Sequence, residues 1–167
     1  GLDTIWKGEV RDSLVHLVRA TGSLSASDTH AGRIVLAVST AEAAKTGVVF
    51  PEAYISAGAF ALYNCSYDLR IPLQGLKPGK YRAVIVARGT TCAGESPELV
   101  MTLQGREVLR RTVSTRAEPI ECSINLVEGD AFLQIRMARD AVRHLPNGRK
   151  EDLNLYINRV LLLAPGQ

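Results

Sequence analysis

The chain has 167 residues, 46% hydrophobic and 22% charged, which suits one folded domain with a real core and is short for two. Its net charge of +3, from 20 Lys and Arg against 17 Asp and Glu, is no nucleic-acid footprint, since the basic residues are scattered except for a knot at Arg139, Arg143, His144, Arg149 and Lys150. No apolar run approaches the ~18–20 residues that cross a bilayer and no signal core opens the chain, so no membrane insertion is expected.

In chain order, VHLVRATG (15–22) reads as a strand and RIVLAVS (33–39) as another. STAEAAKTG (39–47) reads as a short helix, with a capping box from Ser39 to Glu42 and a terminating Gly47. FPEAYISAGAFALYNCSYD (50–68) has no clean period and reads as a loop followed by a strand. LRIPLQG is a strand, and Pro78-Gly79 turns the chain into YRAVIVAR. There Tyr81, Ala83, Ile85 and Ala87 share one face, and Arg82, Val84, Val86 and Arg88 the other.

ELVMTLQG sets Leu99, Met101 and Leu103 against Val100, Thr102 and Gln104, and Gly105-Arg106 turns it into EVLRRTVST, a hairpin. IECSINL presents Ile120, Cys122, Ile124 and Leu126 to one side; after VEGD, AFLQIRMAR presents Leu133, Ile135 and Met137. The segment AVRHLPNGRKE (141–151) reads as a loop. The last strand, LNLYINRVLLLA, is apolar on both faces, as a strand in mid-sheet would be. With a bulge near Asn158-Arg159 it is read with Leu155 and Ile157 on one face and Tyr156, Val160 and Leu162 on the other. Strands at this spacing imply an all-β fold, an antiparallel β-sandwich of jelly-roll type with one short helix, over 1–167 as one domain.

The three cysteines, Cys65, Cys92 and Cys122, have no metal or haem spacing, and their odd number leaves at least one thiol without a partner in the chain. Alternation turns Cys122 inward, whereas Cys92 lies in a loop and is expected to be the more accessible. There is no nucleophile elbow, HExxH, phosphate loop or GxGxxG, and His16, His30 and His144 lie far apart, so no enzyme is expected. Asn64-Cys65-Ser66 is formally a glycosylation acceptor. The single Trp6 reads as a core or edge residue, and with 5% aromatics a stacking platform for sugars is not expected.

Between two strands, GTTCAGESP (89–97) is longer and chemically richer than a hairpin turn, with Glu95 at its centre. Asp140 follows another strand end, and Asp152 with Asn154 opens the final strand. A sandwich can bring these three ends to one rim, where carboxylates, an amide oxygen and backbone carbonyls form a ligand set for calcium rather than zinc or copper. The plainer alternative is that these are turn residues, with Asp152 paired to Arg149 or Lys150.

YRAVIVARGTTCAGESPELVMTLQGREV, a following strand ending in Asp140, and then DLNLYINRVLL resemble the calcium-dependent xylan-binding modules, sandwich modules of secreted multidomain bacterial proteins. The likeness covers 76–164. It implies a noncatalytic module that captures a polysaccharide, xylan-like or another glycan, through a rim Ca2+ held by Glu95, Asp140 and Asp152, with Asn154 a weaker match. It also implies an extracellular or periplasmic setting, as a piece of a longer secreted protein. Arg139 stands where that pattern often has Asn, Asn158 where it often has Asp, and the 141–151 loop is basic. A structural or assembly domain of a larger extracellular or cell-surface protein is the alternative. Oligomeric state and cysteine pairing stay open.

Overall fold

The computed structural model describes residues 32–51 and 54–165. The expected strand at 15–22, Trp6, His16 and His30 lie outside the described residues. In chain order the elements are β1 (Gly32–Val38), α1 (Ala43–Thr46), β2 (Ile55–Ser56), β3 (Ala59–Leu62), β4 (Leu69–Pro72), β5 (Gly79–Gly89), β6 (Glu98–Leu103), β7 (Arg106–Thr112), β8 (Glu118–Leu126), β9 (Phe132–Met137), β10 (Val142–His144), β11 (Lys150–Asp152) and β12 (Leu155–Pro165). One sheet runs β2-β3-β12-β5-β8, with β1 also on β12; the other runs β4-β9-β6-β7, and every pairing is antiparallel. The described residues form the expected all-β sandwich, with one short helix among them.

The core lies between the sheets. Ala83, Ile85 and Ala87 of β5, Ile120 and Ile124 of β8 and Ile157 of β12 pack with Leu99, Met101 and Leu103 of β6 and Leu133, Ile135 and Met137 of β9. Alternation delivers each set to one face. Each fully buried Leu or Ile stabilises the fold by about 1.5–3 kcal/mol relative to an exposed position.

β12 is the axis. Its first residues pair with β3 and its later ones with β1, while β5 runs along its other side. The bulge expected at Asn158-Arg159 is present, as a register shift between Ile157 and Arg159. Its effect on phase corrects the expected faces. An extra residue inverts alternation, so Val160 and Leu162 join Leu155 and Ile157 in the main core, and Leu161 and Leu163 pack on the opposite face with Val84 and Val86. Arg159 at the bulge is ion-paired with Glu42 at 3.5 Å.

That pair also explains a second departure. Glu42, not Ser39, is the helix N-cap, and the Ser39 hydroxyl donates to the Glu42 carboxylate at 2.9 Å rather than to the backbone. Glu42 is drawn to Arg159, so no reciprocal capping box closes. Gly47 ends the helix at φ 70° as expected.

Two hairpins were not foreseen. β2 and β3 join through Ala57 and Gly58, both at positive φ. The basic segment after Asp140 folds as β10-β11, with Val142 opposite Asp152, about a turn at Asn147-Gly148. Asn-Gly was the available signal, masked by the short, polar flanking strands.

The cysteines also depart from expectation. Cys92, although in the loop, is only 4% exposed and belongs to the core; Cys122 is half-buried, Cys65 exposed, and all three are free thiols. Burial pushes the Cys122 thiol up to about 11 despite the Arg111 guanidinium. In native protein, mass-spectrometric footprinting with a thiol reagent should therefore modify Cys65 first, Cys122 slowly and Cys92 last.

Asp130 ties the β8-β9 turn to the β6-β7 hairpin. It accepts two hydrogen bonds from Arg106, at 3.0 and 3.2 Å, and one from the Val127 amide at 2.8 Å. Arg106, then that amide, hold its carboxyl below the ordinary 3.8. A lowered native value means that the stabilisation is present above 3.8 and is lost as pH falls through the native value. Urea midpoints measured from neutral pH downward should show Asp130→Asn less stable at neutral pH, with a smaller loss on acidification than the parent.

Candidate functional site

β5 leaves the sheet at Gly89, where a Cβ would stand 2.3 Å from Pro97 Cγ; only glycine lets the two ends of the loop close. The base is fastened by Gly89 N–H to Ser114 C=O at 2.8 Å and Val113 N–H to Pro97 C=O at 2.9 Å. The tip turns at Ala93 (φ 53°) and Gly94 (φ 79°), with Cys92 and Glu95 exchanging backbone hydrogen bonds of 3.0 Å.

This loop meets the other two strand ends on one rim. The Thr90 hydroxyl donates to Asp152 C=O at 2.5 Å and accepts from Asn154 N–H at 2.9 Å, while Thr90 N–H donates to Asn154 C=O at 3.0 Å. Leu153 N–H reaches Ala141 C=O at 2.9 Å, tying in the segment after β9. Glu151, absent from the expected site, accepts the Ala93 amide at 3.0 Å and pairs with Arg143. Arg143 first, and then that amide, hold its carboxyl below the ordinary 4.5.

The four expected residues are distributed as follows. Glu95 is exposed and paired with Arg139. Asp140 is exposed, three residues beyond the end of β9, and its charge raises the Cys65 thiol after burial has done so. Asp152 ends β11, where its Oδ2 lies 3.3 Å from Lys150 Nζ, and Asn154 immediately precedes β12. Asp152 and Asn154 line one open cleft of about 510 Å³ with Arg88, Thr90, Thr91, Thr115, Lys150 and Glu151; Glu95 and Asp140 are not among its lining.

Among the described residues, no group of three or more His, Cys, Asp and Glu side chains is arranged to hold a metal ion. Asp152 Oδ1 and Asn154 Oδ1 are nevertheless both sealed from solvent and without a hydrogen-bond partner. Each orphaned oxygen costs about 1–3 kcal/mol. A carboxylate and an amide oxygen are donors of the kind calcium takes, so the pair fits that ion in type, and backbone carbonyls, water or ligand hydroxyls would have to complete its six to eight positions.

Rings also gather beside the cleft. Tyr54 stacks on Tyr67 at 4.8 Å and meets Tyr63 edge-on, Tyr63 meets Tyr156 edge-on at 6.2 Å, and the Arg88 guanidinium lies 4.1 Å from the Tyr156 ring centroid. The sequence hid this cluster, because Tyr54, Tyr63 and Tyr67 meet where β2 turns back on β3, and Tyr156 and Arg88 join them only through β3-β12-β5 pairing.

No protein-family model matches the sequence, and no curated protein matches it. Solved structures do. The chain is similar to a family GH115 4-O-methyl-α-glucuronidase with specificity for decorated arabinogalactans, at TM-score 0.51 and 14% identity over 78% of this chain, and spans 17% of that enzyme's length. It is similar at TM-score 0.46 and 14% identity to a family CBM36 carbohydrate-binding module in complex with calcium and xylotriose, over 77% of this chain and 99% of that one. A CBM36 domain of a multidomain xylanase from the hindgut metagenome of Trinervitermes trinervoides gives TM-score 0.39 and 14% identity, over 64% of this chain and 78% of that one. At these identities the likeness concerns fold alone, and the fold, from its strand pairings, is an antiparallel β-sandwich.

Thr90 holds the rim together. Thr90→Val keeps its shape but strands the Asn154 amide and the Asp152 carbonyl, and should cost about 1–3 kcal/mol in urea denaturation.

Proposed function

We propose that this protein is a noncatalytic carbohydrate-binding module that captures polysaccharide through a calcium ion on the rim. The observation that carries the reading is the pair of sealed, unpartnered oxygens, Asp152 Oδ1 and Asn154 Oδ1, on residues lining a hydroxyl-rich cleft. Asp152 and Asn154 would hold the ion, with Asp140 and Glu95 as further carboxylates on the adjoining segments; Glu95 would first have to release Arg139. Calcium, when bound, supplies positions that exchange water for two neighbouring sugar hydroxyls. The motif order from Tyr81 to Leu162 and the sandwich itself support the same reading.

A site with few fixed donors is a weak one, suited to the ~10⁻⁴–10⁻³ M affinities of extracellular calcium modules. This supports a secreted setting, extracellular or periplasmic. Among the described residues no helix is long and apolar enough to cross a membrane.

A second reading, a structural or assembly sandwich of a larger extracellular protein, is favoured by the pairs Arg139–Glu95 and Lys150–Asp152, which neutralise rim carboxylates without a metal. Calcium and glycan separate the two. At a hundredfold excess over Kd, calcium should stabilise the native state by about 2.7 kcal/mol, seen as a raised melting temperature that chelator reverses. Asp152→Ala should abolish the shift together with retention on insoluble xylan. A melting temperature indifferent to calcium, with no glycan retained, would leave the structural reading.

A further inference from the structure

We infer that the cleft selects glycans that carry a carboxylate, with Arg88 as the residue that recognises the uronic acid. This rests on the carbohydrate-binding reading and names the ligand class for the same site. Three of the rim cations are already engaged: Arg139 with Glu95, Arg143 with Glu151 and Lys150 with Asp152. Among the described residues, Arg88 has no carboxylate and no hydrogen-bond acceptor, although it lines the cleft and is half-buried. Its guanidinium carbon lies over the Tyr156 ring, 4.1 Å from the centroid.

That contact orients Arg88 without using its donors. The cation is attracted to the π-face of the ring, and the guanidinium N–H groups, which lie in its own plane, are not consumed by that attraction. The backbone holds the pair in register, Tyr156 opposite Arg88 across β12 and β5, and Tyr63 packs edge-on against the same ring. A planar fork anchored over a ring, with its N–H donors uncommitted among the described residues, matches a carboxylate, which takes two parallel N–H···O bonds.

Charge points the same way. The cleft is lined by Arg88 and Lys150 against Glu151 and Asp152, which cancel, so a bound divalent cation would leave it positive and a uronate would offset the excess. Thr91 and Thr115, also on the lining, place hydroxyls where a neutral part of a sugar could hydrogen-bond.

The experiment compares, in calcium, binding of the intact protein to soluble glucuronoxylan and to the same polymer after chemical reduction of its uronic carboxyls to alcohols, by affinity electrophoresis and calorimetry. The expected result is roughly tenfold tighter binding of the acidic polymer, with an advantage that shrinks as salt rises. Arg88→Gln should bring the acidic polymer down to the affinity of the reduced one, and Arg88→Lys, which keeps charge but not the fork, should recover only part of it. Equal binding of the two polymers by the parent protein overturns the inference and leaves the carbohydrate-binding reading standing. A preference that survives Arg88→Gln overturns the assignment to Arg88. Binding of neither polymer overturns the inference together with the reading beneath it.

Discussion

The structure depends on one strand that must be apolar on both faces and still register with three neighbours. β12 is paired on both edges and buries Leu155, Ile157, Val160 and Leu162 on one side and Leu161 and Leu163 on the other. A strand with strict alternation would carry Val160 and Leu162 to the wrong side. The bulge after Ile157 inverts the phase halfway, so that one run of leucines serves two packing faces. Its cost is Arg159 in a nearly sealed position, offset by Glu42 from the segment that leads into α1.

The same strand places the site. Because β12 starts beside Gly89, the residues just before it, Asp152 to Asn154, are delivered to the loop that leaves β5, and Thr90 closes the gap with three hydrogen bonds. Register opposite β5 sets Tyr156 under Arg88, and register opposite β3 leads on to Tyr63. Core packing and rim geometry thus share a determinant, which gives the cleft a rigid floor even though its walls are loop and hairpin.

Electrostatically the rim is divided. Its outer carboxylates, on Glu95 and Glu151, are each matched by an arginine, and such exposed pairs contribute little to stability. Nearer the floor the balance differs: Asp152 offers one oxygen to Lys150 and keeps the other without a donor, beside Asn154 in the same condition. Two neighbouring oxygens with unmet hydrogen-bonding capacity on one cleft are the kind of local inconsistency that proteins retain where something binds.

Much of the fold was legible in the sequence, because side chains of a strand alternate with period two and the pattern survives without knowledge of the partner strand. β5, β6, β8 and β9 could be read this way, and so could the existence of the bulge in β12 and the meeting of three strand ends on one rim. The phase of the leucines after the bulge could not, since it depends on which residue fails to pair. The accessibility of Cys92 could not either, because a loop residue is buried only if the loop folds back on the sandwich. Likewise the residue types of the site were written in the chain, and so was the local alternative of Asp152 paired to Lys150, two residues away, but the distant partners were not: Arg139 for Glu95 and Tyr156 for Arg88 were decided by tertiary structure, which brings charges and rings together across sequence separations that no local pattern records.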